Sequence, residues 1–377
     1  MQVIRRFTGD WTVQTSGGEW SGRVAGVRSL LGRSLVKALQ TENKIPHWAA
    51  ILPSRWPQRL NRSGADVTNL HWVSEEMMSV ADIGRLQGPI VWTLHDMWAF
   101  CGAEHYTEDF RFRDGYLRSN RPRYESGLDL NRWTWQRKLR HWRRPMHIVT
   151  PSHWMADCAV SSPIMRGWPI SVIPYAIDTD MWRPIDKALA RKILGLPNDC
   201  RMLLFGAIGG TNDPRKGFDF LKAALDQLRG EIAGLELIIL GQSAPRVPLD
   251  FGFPSHFADH LHDDVSLCLY YSAADALVLP SRQDNLPNVG LEAQACGTPT
   301  VAFDACGLPD IVEHRKTGYL AKPFEIEDLA NGIRWVLDGD ERLAKLSAQS
   351  REAAVTKFSY PVIAQQYQRL YENICKS

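Results

Sequence analysis

Asp284 and Glu292 are two acids separated by seven residues in the stretch Ser281-Arg-Gln-Asp-Asn-Leu-Pro-Asn-Val-Gly-Leu-Glu-Ala-Gln-Ala-Cys-Gly297. The first stands before an expected helix start and the second inside that helix. A carboxylate on a helix of small residues is costly to bury unless hydroxyls or amides reach it. A ribose supplies two hydroxyls. The free amides of Leu286, Pro287's neighbour, to Asn288 lie at the positive end of the helix, so the stretch can hold sugar hydroxyls and a phosphate oxygen together. The plain alternative is that Asp284 caps a turn and Glu292 meets a lysine.

A second loop, Phe205-Gly-Ala-Ile-Gly-Gly-Thr-Asn-Asp-Pro-Arg-Lys-Gly217, lies between an apolar run and a helical pattern. Its glycines permit tight turns and close approach, and Arg215 and Lys216 add positive charge beside a helix start. That chemistry suits a diphosphate, with each charge-assisted hydrogen bond contributing roughly 1.5–3 kcal/mol. The spacing is neither that of a P-loop nor Gly-x-Gly-x-x-Gly, and a loop of this kind read alone is more often a surface turn. His71 and His95 each end an apolar run. Taken singly, either is as readily structural as functional.

The elements that must position these groups follow from periodicity. Strands are expected at Met202–Gly206, Leu235–Gly241, Ala276–Pro280 and Thr300–Phe303, with helices at Phe218–Leu228, Val265–Ala274 and Asn288–Ala295 between them. Apolar strands separated by helices imply a parallel, doubly wound sheet covered on both faces. Earlier in the chain, strands are expected at Asp66–His71, Ile90–His95, His147–Thr150 and Ile170–Pro174. Ligands of open α/β sheets collect at the carboxyl ends of strands, which is where His71 and His95 stand. From residue 325 onward the pattern is helical, over 325–337, 341–357 and 361–374.

Composition bounds the rest. At 377 residues, with 44% apolar and 23% charged residues, the chain fits two folded domains of roughly 150 residues each and neither a disordered nor a membrane-bundle class. The start lacks an apolar segment behind its arginines, and no run of roughly 18 apolar residues occurs, so a cytoplasmic location is expected. Seven cysteines without Cys-x-x-Cys spacing fit reduced thiols. Residues 1–180 hold 23 Lys/Arg against 17 Asp/Glu, the remainder 21 against 25, and thirteen of fourteen tryptophans lie at or before Trp182. A domain boundary near 175–185 accounts for both asymmetries.

Taken together, the motifs resemble those of the family 4 retaining glycosyltransferases of GT-B architecture. Asp284-x7-Glu292-Ala293 followed by Ala295-Cys-Gly-Thr-Pro-Thr-Val-Ala-Phe303 is similar to the family hallmark, with Asp where most members carry Glu. Val172-Ile-Pro-Tyr-Ala-Ile-Asp178 resembles its interdomain linker, Arg215-Lys-Gly-Phe its phosphate loop, and Gly318-Tyr-Leu-Ala321 its following strand. Trp92-Thr-Leu-His95-Asp-Met-Trp98 with Glu104-His-Tyr106 is similar to a bacterial polysaccharide-biosynthesis subgroup.

The resemblance implies two Rossmann-like, doubly wound domains facing a cleft. An acceptor-side domain would occupy residues 1–177, a nucleotide-sugar domain 178–358, and a helix at 359–377 would return to the first domain. It implies retaining transfer of a sugar from a nucleoside-diphosphate donor to a hydroxyl of a saccharide or polyprenyl-linked acceptor, in surface polysaccharide biosynthesis. Glu292 would hold the ribose and Arg215 and Lys216 the diphosphate. Asp284 with Asn285, Leu286, Pro287 and Asn288 would hold the donor sugar, Gly206 and Gly241 would line the donor site, and His95 would lie beneath the transferred sugar. Gly17, Gly18, His71, Asp96 and His105 fall on the acceptor side. The resemblance implies neither a metal nor another cofactor. Two departures, Ala207 in place of an arginine and a 65-residue lead before Asp66, keep a catalytically degenerate scaffold protein as an alternative. A sugar-nucleotide epimerase of the same fold is a weaker one.

Residues 111–144 carry eleven Lys/Arg against three Asp/Glu. At helical spacing Trp135, Leu139 and Trp142 share a face, so residues 131–144 read as a basic amphipathic helix suited to the anionic inner surface of a membrane. Packing of the same helix on the sheet is an equal alternative. Nucleic acid is not an expected partner, since no recognised binding module accompanies the patch.

Overall fold

The computed structural model describes residues 2–3, 13–15, 19–38, 45–206, 213–244 and 250–376. The chain divides into two compact units, one of residues 1–151, 155–172 and 370–377, the other of residues 152–154 and 173–369.

The first unit is built on β3 (Thr68–Leu70), β4 (Ile90–Thr93), β5 (His147–Thr150) and β6 (Ile170–Val172). All pair in parallel and in chain order, so among the described residues this sheet shows no reversal of strand order. A two-residue parallel pair, β1 (Gln2–Val3) with β2 (Gln14–Thr15), stands apart. The strands stop sooner than the sequence suggests, and His71 and His95 lie just beyond them. Three tryptophans fill one side of the core: Trp92 lies 5.2 Å from Trp142 and 6.3 Å from Trp98, ring centre to ring centre. Each indole N–H is satisfied, Trp92 on the His71 carbonyl at 3.2 Å, Trp98 on Trp48 at 2.8 Å and Trp142 on Val80 at 2.8 Å. Large rings with a single donor each can therefore be buried without a polar cost.

The basic helix runs over Leu130–His141, capped by Asp129, whose side chain accepts from the Arg132 amide at 2.9 Å. Its inward face is not the expected one. Trp135 and Trp142 are buried, but Leu139 is 41% exposed and Lys138 is fully buried. Lys138 Nζ donates to the carbonyls of Trp98, Cys101 and Gly102, and Arg137 donates to Ala49 and Ala50. Two of the supposed surface cations thus stitch the helix to loop carbonyls, and Lys138 also sits 4.0 Å above the Trp98 ring. A further helix, Glu19–Ala38, lies in the stretch for which no element is expected from periodicity.

The second unit holds six parallel strands: β7 (Arg201–Gly206), β8 (Leu235–Leu240), β9 (Ser255–Ala258), β10 (Ala276–Leu279), β11 (Thr300–Phe303) and β12 (Gly318–Ala321). Their order is β12-β11-β10-β7-β8-β9. The chain winds outward from β7 in one direction, then returns to β10 beside it and winds the other way. That reversal is a topological switch point. The short edge strand β9 escapes detection in the sequence because Gly252 and Pro254 precede it and His256, paired with Glu236 at 2.6 Å, faces away from the apolar core. Helices at Phe218–Gln227, Asp264–Ala273, Asn288–Ala295 and Ile326–Leu337 cover the sheet, whose strands are almost entirely buried. The final helix, Tyr360–Lys376, starts in the second unit and its last residues belong to the first, where Asn69 donates to the Tyr371 hydroxyl at 2.7 Å.

Candidate functional site

In the second unit, the loops leaving β7 and β10 meet at the switch point. Lys216 Nζ lies 2.6 Å from Asp284 Oδ2, and Arg215 donates to the Gln283 carbonyl at 3.0 Å and lies 3.5 Å from Asp284 Oδ1. Ser281 adds its hydroxyl to the same carboxylate at 3.1 Å. The Arg282 amide donates to the Arg215 carbonyl at 2.8 Å, and its guanidinium grips Asp219 at 2.5 and 2.7 Å while lying 4.1 Å over the Phe220 ring. The cations on one loop and the acid on the other therefore form one constellation, placed by the winding of the sheet. An ammonium has three donors and Asp284 takes one, leaving capacity for an anion.

Gly217 makes this approach possible. Its φ is +67°, and a Cβ there would lie 1.9 Å from the Pro280 carbonyl oxygen, so only glycine can turn the chain so close to β10. The loop after β11 completes the surround: the Gly307 amide donates to the Asp284 carbonyl at 3.0 Å, and a Cβ on Gly307 would fall 1.3 Å from the Asn285 oxygen.

Glu292 lies on the Asn288–Ala295 helix and accepts from the Tyr271 hydroxyl at 2.7 Å. Burial raises its pKa, against the opposing effect of that hydrogen bond, with Asp264 adding a smaller upward push. No side chain caps the start of this helix, where Pro287 occupies the N-cap position, so its first amides keep the positive end open to an anion. Leu286, by contrast, sends its side chain into the core at 2% exposure. Its contribution to any site is limited to the backbone. Asn285 is held by Ser152, whose hydroxyl donates to Oδ1 at 2.7 Å. Gly206 ends β7 and Gly241, with φ +81°, follows β8 at the same carboxyl end of the sheet.

In the first unit, adjacent strands β3 and β4 deliver His71 and His95 together: His71 Nδ1 and His95 Nε2 are 3.0 Å apart and the rings are 5.3 Å apart at 28°. Burial lowers the pKa of both, that of His95 to about 4 with further help from His71 and against Asp96. At neutral pH the pair is uncharged, one ring donating to the other. Asp96 accepts from the Trp98 amide at 2.8 Å and the Trp72 indole at 3.2 Å, and lies 2.6 Å from His105 Nδ1.

The sequence-predicted residues thus gather into two groups, Gly206, Arg215, Lys216, Gly241, Asp284–Asn288 and Glu292 in the second unit and His71, His95, Asp96 and His105 in the first. Gly17 and Gly18, and Ala207 with the rest of 207–212, lie outside the described residues. Sequence reasoning missed Tyr271, Ser281 and Ser152. Tyr271 sits in an apolar helix pattern where a buried aromatic is the ordinary reading, and only the fold shows that its hydroxyl reaches Glu292. Among the described residues no cluster of His, Cys, Asp and Glu has the geometry to hold a metal ion.

Two parallel α/β units, the second wound about a switch point that carries paired cations and acids, together with a C-terminal helix, define the GT-B class. Two family descriptions match in tandem, Glycosyltransferase Family 4 over residues 17–181 and Glycosyl transferases group 1 over residues 203–339, and the chain belongs to the family 4 glycosyltransferases. Among curated relatives, a D-inositol 3-phosphate glycosyltransferase of Segniliparus rotundus is 31% identical over 205 residues, covering 52% of this chain and 45% of the relative. The chain spans about half the length of the curated relatives it matches. Among solved structures, a sucrose-phosphate synthase from Thermosynechococcus elongatus matches with TM-score 0.64 at 21% identity, over 85% of this chain and 76% of that one. HepE of Anabaena, in complex with UDP and glucose, matches with TM-score 0.61 at 17% identity, over 96% and 86%. At such identities the likeness concerns the fold.

Proposed function

We propose that the protein is a retaining glycosyltransferase that moves a sugar from a nucleoside-diphosphate donor to a hydroxyl of a saccharide or lipid-linked saccharide, in surface polysaccharide biosynthesis. The observation that carries this reading is the meeting of Lys216, Arg215 and Asp284 at the switch point between β7 and β10. In this reading Glu292 receives the ribose hydroxyls while Tyr271 fixes its orientation. Lys216, Arg215 and the Asn288 helix start meet the negative charge that grows on the departing diphosphate, without a metal. Asp284 shares Lys216 with the phosphate, which keeps the ammonium aimed before donor arrives. His95, neutral and paired with His71 in the first unit, can offer a hydrogen bond to a sugar hydroxyl without adding charge.

The peripheral membrane reading rests on the outer face of the Leu130–His141 helix and the residues after it. Trp133 at 37% and Leu139 at 41% exposure stand beside exposed Arg140, Arg143 and Arg144, a mix suited to an anionic lipid surface. No helix of the described residues is long and apolar enough to cross a membrane.

Calorimetry with UDP-, GDP-, ADP- and dTDP-sugars tests the main reading. One base is expected to bind, and Glu292→Ala and Lys216→Ala each to weaken it by about 10- to 100-fold, the loss of a charge-assisted hydrogen bond. Absence of binding to every donor would transfer the case to the scaffold alternative.

A further inference from the structure

Two helices of the second unit, Asp264–Ala273 and Asn288–Ala295, are tied by the Tyr271–Glu292 hydrogen bond. One turn away a second rung joins them. Cys268 precedes Tyr271 by three residues and Cys296 follows Glu292 by four, so both thiols fall on the faces that carry the first rung. Their sulfurs are 3.4 Å apart, and both residues are free thiols, 2% and 4% exposed. Cys268 also donates to the Arg183 carbonyl at 3.2 Å. The Cys296 amide donates to the Glu292 carbonyl at 3.0 Å, and Thr298 reaches the Tyr271 carbonyl at 2.7 Å. These bonds connect the backbone beside the sulfurs to the backbone of Glu292 and Tyr271.

We propose that Cys268 and Cys296 form a peroxide-sensitive dithiol that closes to a disulfide and, in closing, weakens the hold of Glu292 on a bound nucleotide. The first claim stands on the sulfur geometry; the second rests on the ribose role given to Glu292 above. A disulfide requires sulfurs about 1.4 Å closer than they lie here. That contraction is small for two helix ends but large for a hydrogen bond one turn away.

The chemistry balances with a hydroperoxide as oxidant. The Cys268 thiolate attacks one peroxide oxygen, breaking the O–O bond and giving a sulfenic acid and hydroxide, which takes up the proton lost from the thiol. The Cys296 sulfur then attacks the Cys268 sulfur, the S–O bond breaks, and the hydroxyl leaves with the Cys296 proton as water. Two thiols and one hydrogen peroxide become one disulfide and two waters. The Cys296 thiol, facing the Cys268 sulfur as a hydrogen-bond donor, holds the Cys268 pKa below its ordinary value, with burial opposing. Cys268 is accordingly the sulfur that attacks first. At 2% and 4% exposure the sulfurs are closed to bulky disulfides, and the oxidant proposed is the small hydroperoxide.

The test uses the full chain, reduced and then treated with hydrogen peroxide, alkylated after unfolding and digested without reductant. The expected product is a peptide pair linked through Cys268 and Cys296, lighter by the two hydrogens lost; recovery of both residues alkylated, or as sulfinic acids without a link, overturns the dithiol. Binding of UDP, GDP, ADP and dTDP is then compared by calorimetry before and after oxidation. About a tenfold loss on oxidation, reversed by dithiothreitol and absent in both Cys268→Ser and Cys296→Ala, is expected. Equal binding in both redox forms overturns the coupling. If the reduced protein binds none of the four nucleotides, the ribose role of Glu292 and the coupling fall together, while a linked peptide still upholds the disulfide.

Discussion

His71, exposed, and His95, half-buried, pair in the first unit, and desolvation lowers the pKa of both. A histidine whose folded-state pKa lies below its ordinary 6.5 contributes stability that is fully present above that value and is lost as pH falls towards the folded value, because the unfolded chain then binds more protons. For His95 the window runs from 6.5 down to about 4. Denaturant midpoints measured across that range are expected to fall less steeply in His95→Gln than in the unsubstituted protein; parallel profiles would remove the histidine pair as their cause. Both histidines were legible as candidates because each closes an apolar run. Their mutual contact was not, since it depends on β3 and β4 being neighbours, which periodicity does not state. Lys138 teaches the reverse lesson. A lysine among arginines reads as solvent-facing, and only the three carbonyls awaiting it explain why it turns inward.

At the scale of elements, the loops at the switch point are held by glycines whose neighbours leave no room. Gly307→Ala places a methyl group where the Asn285 carbonyl lies, with no positive φ to complicate the reading. Displacement of residues 284–285 is expected to cost about 1–3 kcal/mol of stability, as for other overpacked sites, and to weaken nucleotide binding several-fold. A thermal scan and one calorimetric titration check both, and unchanged values would show that the loop relaxes freely. The β/α alternation of the second unit was legible because its strands are continuous apolar runs such as Leu237–Leu240 and Ala276–Leu279. The Asp284 to Glu292 spacing was equally plain. The partner of each acid was hidden: Lys216 meets Asp284 through the order of strands, and Tyr271 meets Glu292 through the packing of two helices. The Glu19–Ala38 helix went unread because Gly22, Gly26 and Gly32 interrupt its pattern. Gly32 is nevertheless required there, as a Cβ would lie 2.4 Å from Glu76.

For the molecule as a whole, the candidate nucleotide site draws its residues from one unit. A nucleotide held at about 100 times its dissociation constant adds about 2.7 kcal/mol to whatever binds it. Hydrogen exchange with UDP or GDP present is therefore expected to slow amides within residues 213–217 and 281–292 first; protection confined to residues of the first unit would move the site. The two units also differ in how the chain completes them. Asn69 and Tyr371, which bond within the first unit, stand 302 positions apart. At roughly 5–20 residues per second, the ribosome delivers Tyr371 about 15–60 s after Asn69. For that interval the first unit exists without its closing segment, and it gains that segment only once the second unit has been made as far as Arg369.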